Sequence, residues 1–425
     1  MVILFLLSFL IVFPAFAADS IPLPPGGRPI SLSEAFALTK KQSEILAIRK
    51  ETIAEALALT RQIAARIKPH VSLYGEEFVQ DSSDESTTGV ANTFNRRDIP
   101  EARIQASQPL FHGWREFLAF RAAKHVTRGY ELQLRRAEEL LYQDVAQAYL
   151  NLSNAQEEIR IRETILRTHQ DRLKELKQRE RIGRSRKSEV LAEETQLAIL
   201  EADLTQAKSD EQVFQEALKF LTGLHENLRP LFLPLPPLPP IDLARQLYQS
   251  RSDVEAAREE LASQDLRVSV EKRGYWPTID LNGNYYLYRV GFQEKIKWDV
   301  TVAGSLPLYT GGEQKALIQQ AEARRGSAAQ SLYIAKRRAA MEIETAYKQL
   351  TSSLMIVHTL DRAVLLSNAN IQAQGQDYRY GLVTNLDVLT TLNVHQDTAL
   401  KLSNARHQAT LYSVQLEVAT GGSPK

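Results

Sequence analysis

The chain has 425 residues, a formal net charge of +1, 24% charged and 44% hydrophobic residues, and no cysteine. The balanced charge gives no electrostatic basis for binding nucleic acid. The absence of cysteine excludes disulfide staples, thiolate chemistry and a lipid-modified N-terminal cysteine.

Residues 1–17, "MVILFLLSFLIVFPAFA", form an apolar run that ends in Ala15-Phe16-Ala17. That small-x-small ending is the pattern of a signal-peptidase site, so the segment reads as a signal peptide. No later stretch reaches the roughly 18 consecutive apolar residues of a membrane-spanning helix. Any membrane contact of the exported chain is therefore expected from strands or amphipathic surfaces. Residues 18–32 read as an N-terminal extended segment and 33–67 as a helix.

The remainder is one unit written twice, over 33–228 and 243–421, with a tail at 422–425. Pro109 and Pro307, Gly113 and Gly311, and Gly183 and Gly381 all stand 198 residues apart. Upstream, Pro69 and Pro277, Leu73 and Leu281, and Gly75 and Gly283 stand 208 apart, which places a ten-residue excess in the first half. The polar stretch "QDSSDESTTGVANTFNRRD" is the obvious place, because loops absorb length changes. Between the halves, "RPLFLPLPPLPPID" (229–242) carries prolines that forbid helix and favour an extended spacer.

Each half reads helix, strand pair, long helix, turn, helix. Strand pairs are expected at 71–79 with 101–110 and at 279–289 with 297–307, from alternation such as Trp298, Val300, Val302 against Lys297, Asp299, Thr301. These lengths match tilted transmembrane strands of about 9–11 residues. Four strands do not close a barrel, and open edges are forbidden in lipid, so several protomers would have to share one. Aromatics gather around the strands: Tyr74, Phe78, Phe111, Trp114, Tyr275, Trp276, Tyr285, Tyr286, Tyr288, Trp298 and Tyr309. They read either as interfacial girdles or as the packing of a soluble sheet.

Val145, Leu152, Ile159, Leu166 and Leu173 recur every seven residues, and Ile343, Leu350, Val357, Val364, Ile371 and Tyr378 repeat the series. This period predicts left-handed coiled-coil packing. The proline-free run 112–182 predicts one helix of about 100 Å, beside which two shorter helices stack end to end. Gly183 and Gly381 suit the left-handed position where such a helix ends and the chain reverses.

Catalytic and metal-ligating patterns are missing: no close histidine pair, no phosphate loop after a strand, no nucleophile elbow. No enzyme activity and no cofactor is expected. Glu138-Glu139 and Glu193-Glu194 read as solvated helix surface, and His395 as a satisfied packing histidine.

The doubled order, the strand-to-helix junctions "QPLFHG" and "LPLYTGG" (with Pro109, Gly113, Pro307, Gly311 and Gly312), the turn "YRYGLVTNLDVL" and the closing "LTG" and "ATG" resemble the TolC-like outer-membrane efflux protein family. The resemblance spans about 30–425. It implies a mainly α fold with a small β-barrel part: a homotrimer with a 12-stranded barrel among outer-membrane lipid and an α-helical tunnel in the periplasm. It also implies two partners, a periplasmic adaptor (membrane fusion) protein and an inner-membrane pump, for which the trimer is a passive exit duct in efflux or type I secretion.

By the same resemblance, Tyr378, Gly381 and Asp387 belong to the periplasmic gate. Gly183, Arg184, Arg186 and Gly381 mark the tips that meet the adaptor. Thr390 and Val383 replace an aspartate and an arginine of the family's gate, which argues against a double acidic ring and a salt-bridge lock. Asp387 has a second reading, in the first turn of a helix capped by Thr384 or Asn385, with Glu189 equivalent behind Ser188. The basic run Arg179, Arg181, Arg184, Arg186 and Lys187 reads as a solvated face or as a docking surface. The competing architecture is an exported coiled-coil scaffold or adhesin without a pore.

Overall fold

The computed structural model describes residues 27–81, 97–242, 247–291 and 293–422. The expected signal peptide, the N-terminal segment before Gly27, most of the polar insertion after Gln80 and the tail beyond Gly422 lie outside these residues.

β1 (Arg28–Ile30) enters α1 (Leu32–Gln42), where the Ser31 side chain accepts the Glu34 N–H. The sequence pattern predicts a single helix over 33–67, but the chain breaks it at Ser43. That residue leaves helical geometry with ψ 113 and caps a new helix, α2 (Glu44–Ala65), by accepting from the Leu46 N–H. A serine offers the backbone this alternative partner, which is why apolar periodicity alone misses the break.

Four strands follow the doubled plan: β2 (His70–Val79), β3 (Asp98–His112), β5 (Thr278–Arg289) and β6 (Trp298–Ser305). They form one antiparallel sheet in the order β2-β3-β5-β6, with Tyr74 opposite Arg103, Ala106 opposite Gly283 and Asn282 opposite Thr301. The two repeats therefore meet edge to edge through β3 and β5. The β3–β5 ladder slips between Pro109 and Phe111, as expected where a proline has no N–H to donate. A short parallel pair, β1 with β4 (Leu228–Pro230), ties the chain's entry to the start of the proline-rich spacer.

α3 (Arg115–Arg181) and α6 (Glu313–Tyr380) have 67 and 68 residues, which corresponds to about 100 Å each. The returning helices are α4 (Lys187–Thr222) and α7 (Asn385–Ala419), and α5 (Ser252–Lys272) leads into the second strand pair. Near the sheet the helices lie side by side as α2, α3, α5, α6; at the far end the order is α4, α3, α7, α6. Heptad residues Val145, Leu152, Ile343, Leu350 and Val357 are buried in these seams.

The largest core lies midway, where α1, α3, α4, α7 and the β1–β4 pair converge on Tyr149, Val145, Ile30 and Leu218. Tyr149 is fully buried, and its hydroxyl donates to the carbonyls of Ile30 (3.0 Å) and Leu231 (2.8 Å). Burial pushes its pKa up to about 12, against the smaller opposing pull of the Leu231 hydrogen bond.

Two of the acids expected on solvated surface are buried. Glu139 accepts from Arg136 (2.9 Å) and Ser252 (2.8 Å), next to Arg251, which is itself buried and paired with Asp253 and Glu342. Arg136 and Arg251 also donate to the carbonyls of Val418 and Ala419, which pins the end of α7 at the seam between the repeats. Glu193 Oε1 lies 2.8 Å from His169 Nδ1, and both side chains are fully buried. Helical periodicity places these acids inward, and charge alone misassigns them.

Candidate functional site

The two hairpins end side by side. Gly183 has φ 75 and Gly381 has φ 72, the left-handed region that lets a long helix stop without a Cβ penalty. At the second tip the Gly381 N–H returns to the Tyr378 carbonyl and the Leu382 N–H to that of Asp377, which satisfies carbonyls left over by α6.

Tyr378 is the junction of the two tips. It is buried among Leu176 and Val190 of the first hairpin and Val388 and Leu392 of the second, with Val383 packed alongside. Two guanidiniums cover its ring, Arg172 at 3.9 Å and Arg179 at 4.8 Å from the centroid. Arg172 also donates to Asn385 Oδ1 at 2.8 Å, and both arginines pair with Glu175 (3.2 and 2.8 Å). Each arginine–ring contact is of the kind worth about 0.5–2 kcal/mol, and a charge-assisted hydrogen bond contributes about 1.5–3 kcal/mol. A single side chain of the first hairpin thus holds the second through both its last residues before the turn and its first residue after it.

Asp387 sits at the third position of α7 in a complete capping box. Its carboxylate accepts from the Thr384 N–H (2.8 Å) and hydroxyl (2.6 Å), and its own N–H donates to Thr384 Oγ1 (3.4 Å). The hydrogen bonds from the Thr384 side chain and then its backbone hold the carboxyl below the usual range, so Asp387 is charged at neutral pH. Thr384 is the cap and Asn385 the first helical residue, free to take the bond from Arg172. The first hairpin does not copy this arrangement. Arg186 precedes α4 and gives it no side-chain cap, and Glu189 is held by the Ser185 hydroxyl rather than by Ser188. Thr390 donates back to the Leu386 carbonyl and faces solvent.

Between the tips lies an open cavity of about 670 Å³, lined by Arg184, Arg186 and Glu189 on one side and Tyr378, Gly381 and Thr384 on the other. Tyr380 and Leu386 at the cavity are exposed, as are Ile182 and Leu382 next to the two turn glycines. The tip residues singled out in the sequence therefore gather in one place. Sequence reasoning missed Arg172 and gave Asn385 only as an alternative cap, not as its partner; the two are 213 residues apart and follow no repeat or motif.

The junction residues lie at the opposite end. Gly113 (φ 60) and Trp114 (φ 64) precede α3; Gly311 (φ 61) and Gly312 (φ 90) precede α6. A Cβ on Gly113 would meet Trp276 Cβ at 2.8 Å. Phe111, Trp114 and Trp276 cluster there at centroid distances of 6.2 and 6.3 Å. Tyr74, Phe78, Tyr285, Tyr288 and Trp298 remain largely exposed on the sheet, as a soluble core would not leave them.

His395 fits its expected packing role: its Nδ1 lies 2.9 Å from Ser367 Oγ, and burial lowers its pKa.

Comparison with known proteins gives the same fold and a family likeness in the second repeat. Residues 243–422 match the family model "Outer membrane efflux protein". Outer membrane protein TolC of Vibrio cholerae serotype O1 is 25% identical over 342 residues, covering 76% of this chain and 77% of that protein. Outer membrane efflux protein BepC of Brucella suis biovar 1 is 24% identical over 338 residues, covering 75% and 71%. The solved structure of CusC superposes with a TM-score of 0.83 at 18% identity, covering 92% of each chain. That of VceC from Vibrio cholerae gives 0.79 at 19% identity, covering 92% of this chain and 96% of that one. The second repeat thus matches the outer membrane efflux protein model, and about three quarters of the chain is similar to TolC and BepC.

Proposed function

We propose that three copies of this chain form one channel-tunnel in an outer membrane, the exit duct of a tripartite efflux pump or a type I secretion system. The observation that carries the reading is the sheet. Its outer strands β2 and β6 have no neighbour on one side among the described residues, and Val71, Leu73, Val300 and Val302 of these strands are 58–72% exposed. An apolar sheet with two open edges is untenable in lipid or water unless copies close it. Four strands from each of three protomers make a 12-stranded barrel, and the helices beneath it continue as a tunnel. The scaffold reading leaves this sheet unexplained.

In this account the duct performs no chemistry. The second hairpin is the moving part, held shut by Arg172 on Tyr378 and Asn385, and released when an adaptor protein binds the tips at Gly183, Arg184, Arg186 and Gly381. Such a gate is a two-state element, and a partner opens it only by binding the open state more tightly. The test is the mass of the detergent-extracted complex together with its conductance. A trimer giving discrete current steps supports the reading, and a monomer without them contradicts it.

A further inference from the structure

We infer that His112 is a pH-sensitive latch between the sheet and the helices, closed while its ring carries two protons. His112 is the last residue of β3, and α3 begins at Arg115, so it stands at the junction, two residues past the segment 101–110 expected to span. Its Nδ1 lies 2.9 Å from Glu116 Oε1, in the first turn of α3. Its Nε2 lies 2.8 Å from Asp280 Oδ1, on β5 of the other repeat. An ionised carboxylate offers only acceptors, so both ring nitrogens must donate, and imidazole does this only as the cation. One protonated ring therefore joins three elements and both repeats.

Loss of a proton leaves a ring lone pair facing a carboxylate within 2.9 Å. One bond is then lost and replaced by repulsion. The His112, Glu116 and Asp280 side chains are 23%, 24% and 34% exposed, so the proton exchanges with solvent without unfolding. Burial works against the charged ring, but the hydrogen bonds to Glu116 and Asp280 outweigh it, and the pKa stands above the ordinary value of 6.5. The other charges around the junction are Arg115, paired with Glu271 at 3.8 Å, and Arg273, which donates to the Gly113 carbonyl and lies over Trp276. On β2, His70 opposes Ser107 and is present in wild type and variants alike.

The sign follows from linkage. A group whose pKa is higher in the folded state contributes stability that is complete below its unfolded value and is lost as pH rises through its folded value. The latch is closed in mildly acidic surroundings and opens on the alkaline side. Its existence does not depend on the duct reading, which supplies only its consequence, a looser connection between barrel and tunnel.

The test is the thermal midpoint of the purified full-length protein in detergent from pH 5.5 to 9, for wild type, His112→Gln and Glu116→Gln. Wild type is expected to lose about 1 °C more than His112→Gln across the upper half of this range, because a chain of this length shifts by only about 1 °C per kcal/mol. Glu116→Gln keeps an acceptor but removes a charge, so its loss begins at lower pH. Parallel profiles for wild type and His112→Gln overturn the latch. If His112→Gln does not fold, a Glu116→Gln profile identical to wild type overturns it, and one displaced to lower pH supports it.

Discussion

The guanidinium carbon of Arg172 lies 3.9 Å from the ring centroid of Tyr378, so the first hairpin grips the second across more than two hundred residues of sequence. The same guanidinium reaches Asn385 beyond the turn. Tyr378 is buried while its neighbour Tyr380 is 81% exposed, which makes Tyr378 the anchor and the rest of the tip the surface.

Arg172→Met keeps much of the side-chain volume and removes both the stack and the hydrogen bond. It is expected to weaken the closed tip by about 1–3 kcal/mol, roughly a 5- to 150-fold shift toward open. The check is conductance without an adaptor, together with cell permeability to a solute too large for the closed duct; both rise.

Asp387 and Thr384 separate charge from capping. Thr384→Ala removes the cap and costs the start of α7 about 1 kcal/mol, seen as faster amide exchange over Asn385–Val388, with ion selectivity kept. In the proposed trimer, Asp387→Asn removes one charge per copy from the tip and is expected to lower cation preference, read as the reversal potential under a salt gradient.

Acid has a defined effect at the same place. The Asp387 carboxyl is held below the ordinary 3.8, so its contribution is present at neutral pH and fades as pH falls through the folded value. In Asp387→Asn the tip amides lose this acid-induced exposure.

Two glycines with the same backbone hand differ in what surrounds them. Gly183→Ala meets nothing within 4 Å, and the left-handed conformation alone costs about 1–2 kcal/mol. Gly113→Ala must also displace Trp276, adding about 1–3 kcal/mol. Thermal midpoints of the two variants check this, with the Gly113 variant lower.

Glu139→Ala leaves Arg136 and Ser252 without their shared acceptor in a buried site and is expected to cost about 3–5 kcal/mol. Glu139→Gln keeps an acceptor and costs less. Urea unfolding of the pair, followed by circular dichroism, measures the difference.

The architecture was legible because it is periodic. Heptads such as Val145 to Leu173, alternation around Val300, and glycines at matched offsets each report a local geometry that the fold repeats. Ser43 broke a predicted helix because one side-chain hydrogen bond outweighs apolar spacing there. Glu139 and Glu193 were misread as surface because burial of an acid depends on partners brought in by folding, Ser252 for the first and His169 for the second. The tip was found from Gly183 and Gly381, but the side chain that joins the hairpins was not. Arg172 lies in an ordinary charged helical stretch, and only folding brings it to Tyr378.

Single-channel recording of the purified protein in a planar bilayer, wild type beside Arg172→Met, tests the gated duct most directly. The account predicts discrete current steps, with longer or larger openings in the variant. Silence from Arg172→Met protein shown to be folded, trimeric and inserted would contradict it.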